Sequence, residues 1–367
     1  MNPFDFHLPT RILFGRGRIA GLGEQIPGGM GKILIVTDGT IARKTPALDK
    51  VVKALPGREL RIFDRVEENP SIATVEEAAG EAREMCAQLI VGLGGGSPMD
   101  AAKGVAILAT NPKPLKEVLG GKPLEHAPLP VIAVPTTSGT GSEVTPFAVF
   151  TDRTAKQKVG YGNPGIFPIL ALIDPELTYS MPVSVILDTG LDVLSHAVEA
   201  YLSTLAFPLN DAFALHAIDI VLTELPRAAR KDTEAMNRMA AAATVAGAAI
   251  AHASTILPHI MGYPLTVYHG VPHGRASAIM LVHVLGALRE KSACPDKVRA
   301  IEALFSGHGD LDGFLRGLGV STKLSSYGVE ENEIPIYAEK TIVKGDVKIT
   351  PADVTLEYLR KIYEHGL

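Results

Sequence analysis

The sequence predicts an α/β domain built on a doubly wound parallel sheet, followed by an all-helical domain, and three observations carry that prediction. Short apolar strands alternate with helical stretches through the first half. Two glycine-rich clusters follow two of those strands. After about residue 180 nearly every segment shows helical spacing.

The strands read in order. KILIVTD (Lys32–Asp38) is a buried strand ending in a carboxylate, followed by a helical stretch around Ile41–Leu55. Glu59–Phe63 is a second strand and Ile72–Cys86 a helix. Ala87–Gly96 is a third strand running into glycines, Ser97–Ala109 a helix, and Pro130–Thr137 a fourth strand. Continuous apolar strands separated by helices imply parallel pairing with both sheet faces covered. The pattern changes after ALIDPELTYSMP (Ala171–Pro182), where Leu187, Leu191, Leu194 and Val198 make one helical stripe. Further helices read around Pro208–Leu225, Thr233–Ser254, Arg275–Leu288 and Pro295–Phe305. The expected division is 1–180 for the α/β domain and 181–367 for the helical domain.

Composition narrows the function. With 367 residues the chain is long enough for about two domains. Hydrophobic residues at 46% and charged residues at 20% are ordinary for a globular protein, which excludes a disordered or fibrous chain. The net charge of −5 and the lack of a long basic run give no footing to nucleic acid or an anionic membrane surface. Cys86 and Cys294 form no CxxC pair, which excludes a thiolate metal site and fits a reducing compartment. The longest apolar run, Met239–Ala251, is shorter than the roughly 18–20 residues of a membrane span. The first residues, MNPFDFHLPTRILFG, do not read as a signal peptide. A cytoplasmic protein acting on a small molecule is expected.

Gly92-Leu93-Gly94-Gly95-Gly96-Ser97-Pro98-Met99-Asp100 follows a strand and opens a helix. Glycines let the backbone approach a ligand, and the first N–H groups of a helix face an anion. Ser97 reads as a cap, Pro98 as the first helical residue and Asp100 as the partner in a capping box. A second cluster, Pro135–Glu143, is dense in hydroxyls and glycine. Both lie at carboxyl ends of parallel strands, where ligands of open sheets bind. Gly15-Arg16-Gly17-Arg18-Ile19-Ala20 matches the dinucleotide fingerprint in letters only; it precedes the first strand–helix unit and reads as a turn. Asp38 closes the first core strand, where a carboxylate accepts ribose hydroxyls and repels a 2′-phosphate, favouring NAD over NADP.

Nine of the eleven histidines lie after residue 190. Asp192 and His196 are four apart in GLDVLSHAVEAY and share one helix face. His259, His269 and His273 follow in LPHIMGYPLTVYHGVPHGRA. A carboxylate with imidazoles suits Fe2+ or Zn2+. Spacing leaves Asp188 open as a ligand in place of Asp192, and His252, His216 and His283 read as structural.

GGGSPMDAAK, PTTSGTGSEVT, LIDPEL, GLDVLSHAVEAY and HIMGYPL…VPHG, in that order, resemble the iron-containing (group III) alcohol dehydrogenase family across nearly the whole chain. The resemblance implies a dehydroquinate-synthase-like architecture, an NAD(P)-dependent reaction of alcohols or aldehydes, and a homodimer or higher homo-oligomer. It implies the ligand set Asp192, His196, His259 and His273. It places Asp38, Asn69, Gly95, Gly96, Ser97, Asp100, Thr136, Thr137, Thr145 and Lys158 in the nucleotide-contacting region. The chain departs from the family at Tyr263, four residues after His259, where a histidine near the substrate is common. Tyr263, His269 or water then handles the proton, beside His273. The alternatives are a lyase of the same fold, which needs basic residues around the metal, a metal-free reductase, and a nucleotide-binding module without turnover.

Overall fold

The computed structural model describes residues 3–155 and 157–367. These cluster into two units, His7–Pro182 and Val183–Leu367, the second joined by the N-terminal stretch ending at Phe6. The assignment of the first residues to the helical unit has a simple cause that composition does not announce. Phe4 stacks on Phe207 at 4.5 Å, and Phe6 stacks on His252 at 4.3 Å.

In the first unit, β1 (Arg11–Phe14), β2 (Lys32–Val36), β3 (Glu59–Phe63), β4 (Leu89–Gly94), β5 (Val131–Pro135) and β8 (Leu170–Ile173) form one sheet in the order β1-β8-β5-β4-β2-β3. Every pairing in it is parallel. The helices are α1 (Leu22–Gln25), α2 (Gly39–Lys44), α3 (Ala47–Lys53), α4 (Ile72–Glu84), α5 (Gly96–Thr110) and α6 (Leu115–Leu119). Alternate strand residues feed two cores. Leu34, Val36 and Ile90 pack with α4 and α5 on one face, and Ile33, Ile35, Leu89 and Val91 pack with α3 on the other. The chain steps from β2 outward to β3 and returns to the far side of β2 at β4. The topology therefore reverses between β2 and β4, and a crevice opens at their carboxyl ends.

Several local expectations are corrected. The stretch around Ile41–Leu55 is two helices, because Pro46 interrupts it and caps the second. A hairpin, β6 (Phe147–Asp152) with β7 (Gln157–Gly162), lies between β5 and β8. Gly15–Gly17, by contrast, is the expected turn after β1, with Gly15 at φ 146 and Gly17 at φ 71. Ser97 does not cap α5. The N-cap is Gly95, and Ser97 Oγ accepts from the Asn69 amide at 3.0 Å. Asp100 makes no capping box. Its oxygens accept from Ser142 Oγ at 2.7 Å and from the Val149 amide at 2.9 Å.

Lys103, on α5, is fully buried beside Asp100. Its ammonium donates to Ser142 Oγ at 2.8 Å, the Thr145 carbonyl at 3.0 Å and the Phe147 carbonyl at 2.6 Å. This clip ties the segment after β5, and with it the start of β6, to the helix that follows β4.

The second unit is helical throughout. Its elements are α7 (Val183–Leu202), α8 (Pro208–Ala228), α9 (Thr233–Ala253), α10 (Leu257–His269), α11 (His273–Lys291), α12 (Pro295–Leu304), α13 (Leu311–Gly317), α14 (Ile334–Ile342) and α15 (Leu356–Gly366), with short 3-10 turns. Alanines at 240, 242, 243, 246 and 249 are buried, so α9 lies close against α7 and α8. Among the described residues, no single helix is long and apolar enough to cross a membrane. The chain bends by 110° between α9 and α10, with Ser254 at φ 57.

Burial pushes the Lys103 ammonium down to about 8 from 10.5, against the pull of Asp100 and Glu143. Between those two values the unfolded chain binds more protons than the folded one, so the stability contributed at this site rises with pH. Lys103→Met should unfold more easily than wild type, and the gap should widen by about 2 kcal/mol between about pH 7 and 9.5. Denaturant unfolding at both pH values checks this. A gap that stays flat or narrows contradicts a buried ammonium.

Candidate metal centre and nucleotide cradle

One face of α7 carries Asp192 and His196, 3% and 5% exposed. The bend after α9 brings in His259, 3% exposed, near the start of α10. The left-handed Gly270 ends α10, and Pro272 directs the chain into α11, whose first residue is His273. Around Asp192 Oδ1 stand the Nε2 atoms of His196 at 4.0 Å, His259 at 3.5 Å and His273 at 4.0 Å. The His196 and His259 rings lie 4.6 Å apart and nearly parallel, while His273 meets His259 edge-on at 5.1 Å.

Asp192, His196 and His259 offer ligand atoms all within 4.8 Å of one another. Ligands about 2.1 Å from a tetrahedral ion stand about 3.4 Å apart, close to the spacings here. Asp192 Oδ1 and His259 Nε2 are buried and make no hydrogen bond among the described residues. Buried polar atoms without partners are rare, and a cation answers both. The donor set, one carboxylate oxygen and three imidazole nitrogens, fits Fe2+ or Zn2+.

Electrostatics agree. Burial opposes ionisation of Asp192, yet His196, His259 and His273 hold its carboxyl well below the usual carboxylate range. Burial also opposes charge on His259, but the Glu199 and Asp192 carboxylates push it up to about 10. Without a cation this cluster gathers protons, and a metal ion displaces them.

The competing candidates are accounted for. Asp188 accepts from Arg275 Nε at 2.7 Å, which clamps the first turn of α11 onto α7. His252 stacks on Phe6, His283 pairs with the Thr322 carbonyl at 2.8 Å, and His216 is exposed on α8. The structure does not bring His269 to the cluster. It lies ten residues beyond His259 on the same helix, about 15 Å along the axis. Its Nε2 pairs with the Tyr337 hydroxyl at 2.7 Å, which donates to Glu333 at 2.7 Å. Tyr263, one turn from His259, does lie beside His273, with ring centres 5.8 Å apart. Of the basic residues that a lyase would recruit, Arg227 and Arg238 pair with Glu224, and Arg275 pairs with Asp188.

Glu199 is a residue that sequence reasoning missed. It is wholly buried one turn after His196, and its Oε1 pairs with His259 Nδ1. The available signal was an acidic residue on the same apolar helix face as Asp192 and His196.

In the α/β unit, Asp38 follows β2, Gly95, Gly96 and Ser97 follow β4, and Thr136 and Thr137 follow β5. Asp38 Oδ1 accepts from the Thr40 and Ile41 amides at 2.8 and 2.9 Å, capping α2. Its Oδ2 turns toward Gly94, 3.4 Å from where a Cβ would stand. Capping thus occupies Oδ1, and Oδ2 faces the Gly94 turn. Gly94, at φ 149, turns the chain into α5. A Cβ on Gly95 would lie 3.2 Å from Thr137 Oγ1, and one on Gly96 2.6 Å from Thr140 Cγ2, so only bare backbone fits between the two loops. Thr37 Oγ1, Thr136 Oγ1 and Ser138 Oγ are buried without hydrogen-bond partners among the described residues, and all three follow strand ends. Hydroxyls and open amides at a switch point suit a dinucleotide. Asn69, at φ 57, is held by Ser97 and Thr151. Asp100 and Thr145 engage the Lys103 clip, and Lys158 on β7 is 5% exposed, its charge felt at Asp100.

Comparison with known proteins agrees with both halves. Residues 9–175 match the model of the iron-containing alcohol dehydrogenases, and residues 186–367 match the C-terminal domain of the same family. Alcohol dehydrogenase 4 of Schizosaccharomyces pombe is 39% identical over 284 residues, covering 76% of this chain and 67% of its own length. The 1,3-propanediol dehydrogenase of Klebsiella pneumoniae is 34% identical over 368 residues, covering 95% of each. The crystal structure of an iron-containing alcohol dehydrogenase from Thermotoga maritima superposes with a TM-score of 0.90 at 37% identity, covering 100% of this chain and 99% of that one.

Gly274 controls the approach of α11 to α7. A Cβ there would lie 2.1 Å from the Asp188 carbonyl oxygen and 2.9 Å from the Asp192 amide nitrogen. Backbone atoms cannot yield, so Gly274→Ala should push the first turn of α11, with His273, away from Asp192. Metal retention against a chelator should fall about 10–100-fold, as for loss of an outer ligand partner, with about 1–3 kcal/mol of stability lost. Wild-type retention in Gly274→Ala would contradict this packing.

Proposed function

The chain belongs to the iron-containing alcohol dehydrogenase family, and from that premise we propose that it catalyses reversible hydride transfer between a small alcohol and NAD, with a divalent cation held by Asp192, His196, His259 and His273. The observation that carries the proposal is the convergence of three imidazole Nε2 atoms, within 4.0 Å, on the buried Asp192 Oδ1.

When bound, the cation would supply a Lewis acid for the alcohol oxygen and the nicotinamide a hydride acceptor. The chain's own residues do the rest. Asp192, His196 and His259 are buried and keep water from the inner side of the site. His273, with 28% of its side chain exposed, marks the side on which a substrate arrives. Tyr263 stands at that same side and is the residue placed to pass on the alcohol proton.

In the α/β unit, the Gly95–Ser97 amides at the start of α5 receive the pyrophosphate and Asp38 Oδ2 receives a ribose. Thr136 and Thr137 line the crevice, and Asn69, Thr145 and Lys158 complete the nucleotide-contacting region.

Asp38 favours NAD, because a carboxylate there repels a 2′-phosphate. The histidine-rich set accepts iron or zinc, and the family description supports iron. A small alcohol or aldehyde is supported by the diol named for the Klebsiella relative. A cytoplasmic homodimer completes the proposal, on the family resemblance and the charge balance given above.

An assay of nicotinamide reduction with short alcohols and diols, with Fe2+ or Zn2+ added, tests this reading. His259→Ala should lose bound metal and turnover together; full activity in the metal-free variant would sink the metal-dependent mechanism. Asp38→Ser should raise the use of NADP relative to NAD about tenfold or more, and an unchanged ratio would remove Asp38 from cofactor selection.

A further inference from the structure

Glu199 is the acid that no step above uses. It lies three residues after His196 and seven after Asp192, on the same face of α7. It is 0% exposed. Its two oxygens serve different partners. Oε1 meets His259 Nδ1, while Oε2 accepts from the Ile256 amide at 2.8 Å and the His259 amide at 3.4 Å.

The second contact has a local cause. Ile256 is the N-cap of α10 and has no side-chain acceptor, and Pro258 follows at the second helical position. The helix therefore begins without a cap of its own, and a carboxylate from α7 takes that part.

We propose that Glu199 is a positioning residue for the third metal ligand. It holds the proton of His259 on Nδ1, so that Nε2 presents its lone pair beside Asp192, and it fixes the ring by anchoring the backbone of the same residue. This rests on the metal reading given above. The chemistry is that of a carboxylate–imidazole–metal relay, in which the outer acid sets the tautomer and raises ligand basicity.

Glu199→Gln separates this role from simple capping. If the amide oxygen keeps the α10 amides, the NH2 group faces His259 Nδ1. That nitrogen must then accept, which moves the proton to Nε2 and blocks the ligand position. The helix stays capped while the metal site fails.

The test is a competition between the metal-free protein and a chromophoric chelator for Zn2+ or, without oxygen, Fe2+. Thermal unfolding of the metal-free forms is recorded in parallel. Wild type should take up one ion per chain. Glu199→Gln should bind about 10–100-fold more weakly, with a melting temperature close to wild type. A variant that melts earlier yet binds metal as wild type does would reduce Glu199 to a helix cap and overturn the proposal. Failure of wild type itself to take up an ion would overturn the metal reading first, before any variant is compared. A second measurement needs no variant. Nitrogen-15 NMR of the zinc-loaded wild type should show His259 protonated at Nδ1, and an unprotonated Nδ1 would overturn the proposal.

Discussion

A carboxylate taken out of water must be answered by positive charge, and Asp192 sits in the interior of a helical bundle with three imidazoles turned toward one of its oxygens. Leaving that charge unanswered is expensive, and neutral imidazoles answer it poorly. Protons on the histidines or a divalent cation in their midst resolve the conflict, and the two compete. Much of the helical unit is arranged around this constraint. The α7 stripe places Asp192 and His196, the 110° bend after α9 places His259, and the left-handed end of α10 at Gly270 together with the bare Gly274 in the first turn of α11 places His273.

The α/β unit solves a different problem with the same economy of parts. A phosphate needs amides, and amides are exposed only where no Cβ intrudes and a helix begins. The reversal of strand order between β2 and β4 supplies the crevice, Gly94–Gly96 supply bare backbone, and Asp38 stands at its edge. The Lys103 clip holds the second loop in place by burying an ammonium among oxygens, which is tolerable only because its three donors all find acceptors.

Much of this was legible in the residues. Parallel strands buried on both faces are continuous apolar runs, so β2 to β5 could be read directly. The β6–β7 hairpin could not, since FAVFTD and QKVGYG mix polar and apolar residues in a two-stranded element outside the main sheet. Asp192 and His196 were legible because a helix encodes proximity in spacing. Distant pairings are not encoded that way. Asp188 could be set aside as a ligand only once Arg275, 87 residues away, was seen to hold it. Likewise Glu199 is unremarkable until His259 comes to rest against it, and His269 is a plausible proton carrier until helix length removes it from the site. Ser97 looked like a cap because its neighbours fit that pattern, but the tertiary contact with Asn69 took its hydroxyl instead.

The most direct measurement is anomalous diffraction from crystals grown with Fe2+ or Zn2+, recorded on both sides of the metal's absorption edge. One strong anomalous peak per chain should appear among Asp192 Oδ1 and the Nε2 atoms of His196, His259 and His273, about 2.0–2.2 Å from each. A peak elsewhere, or none in a protein that turns over alcohol, would contradict the account.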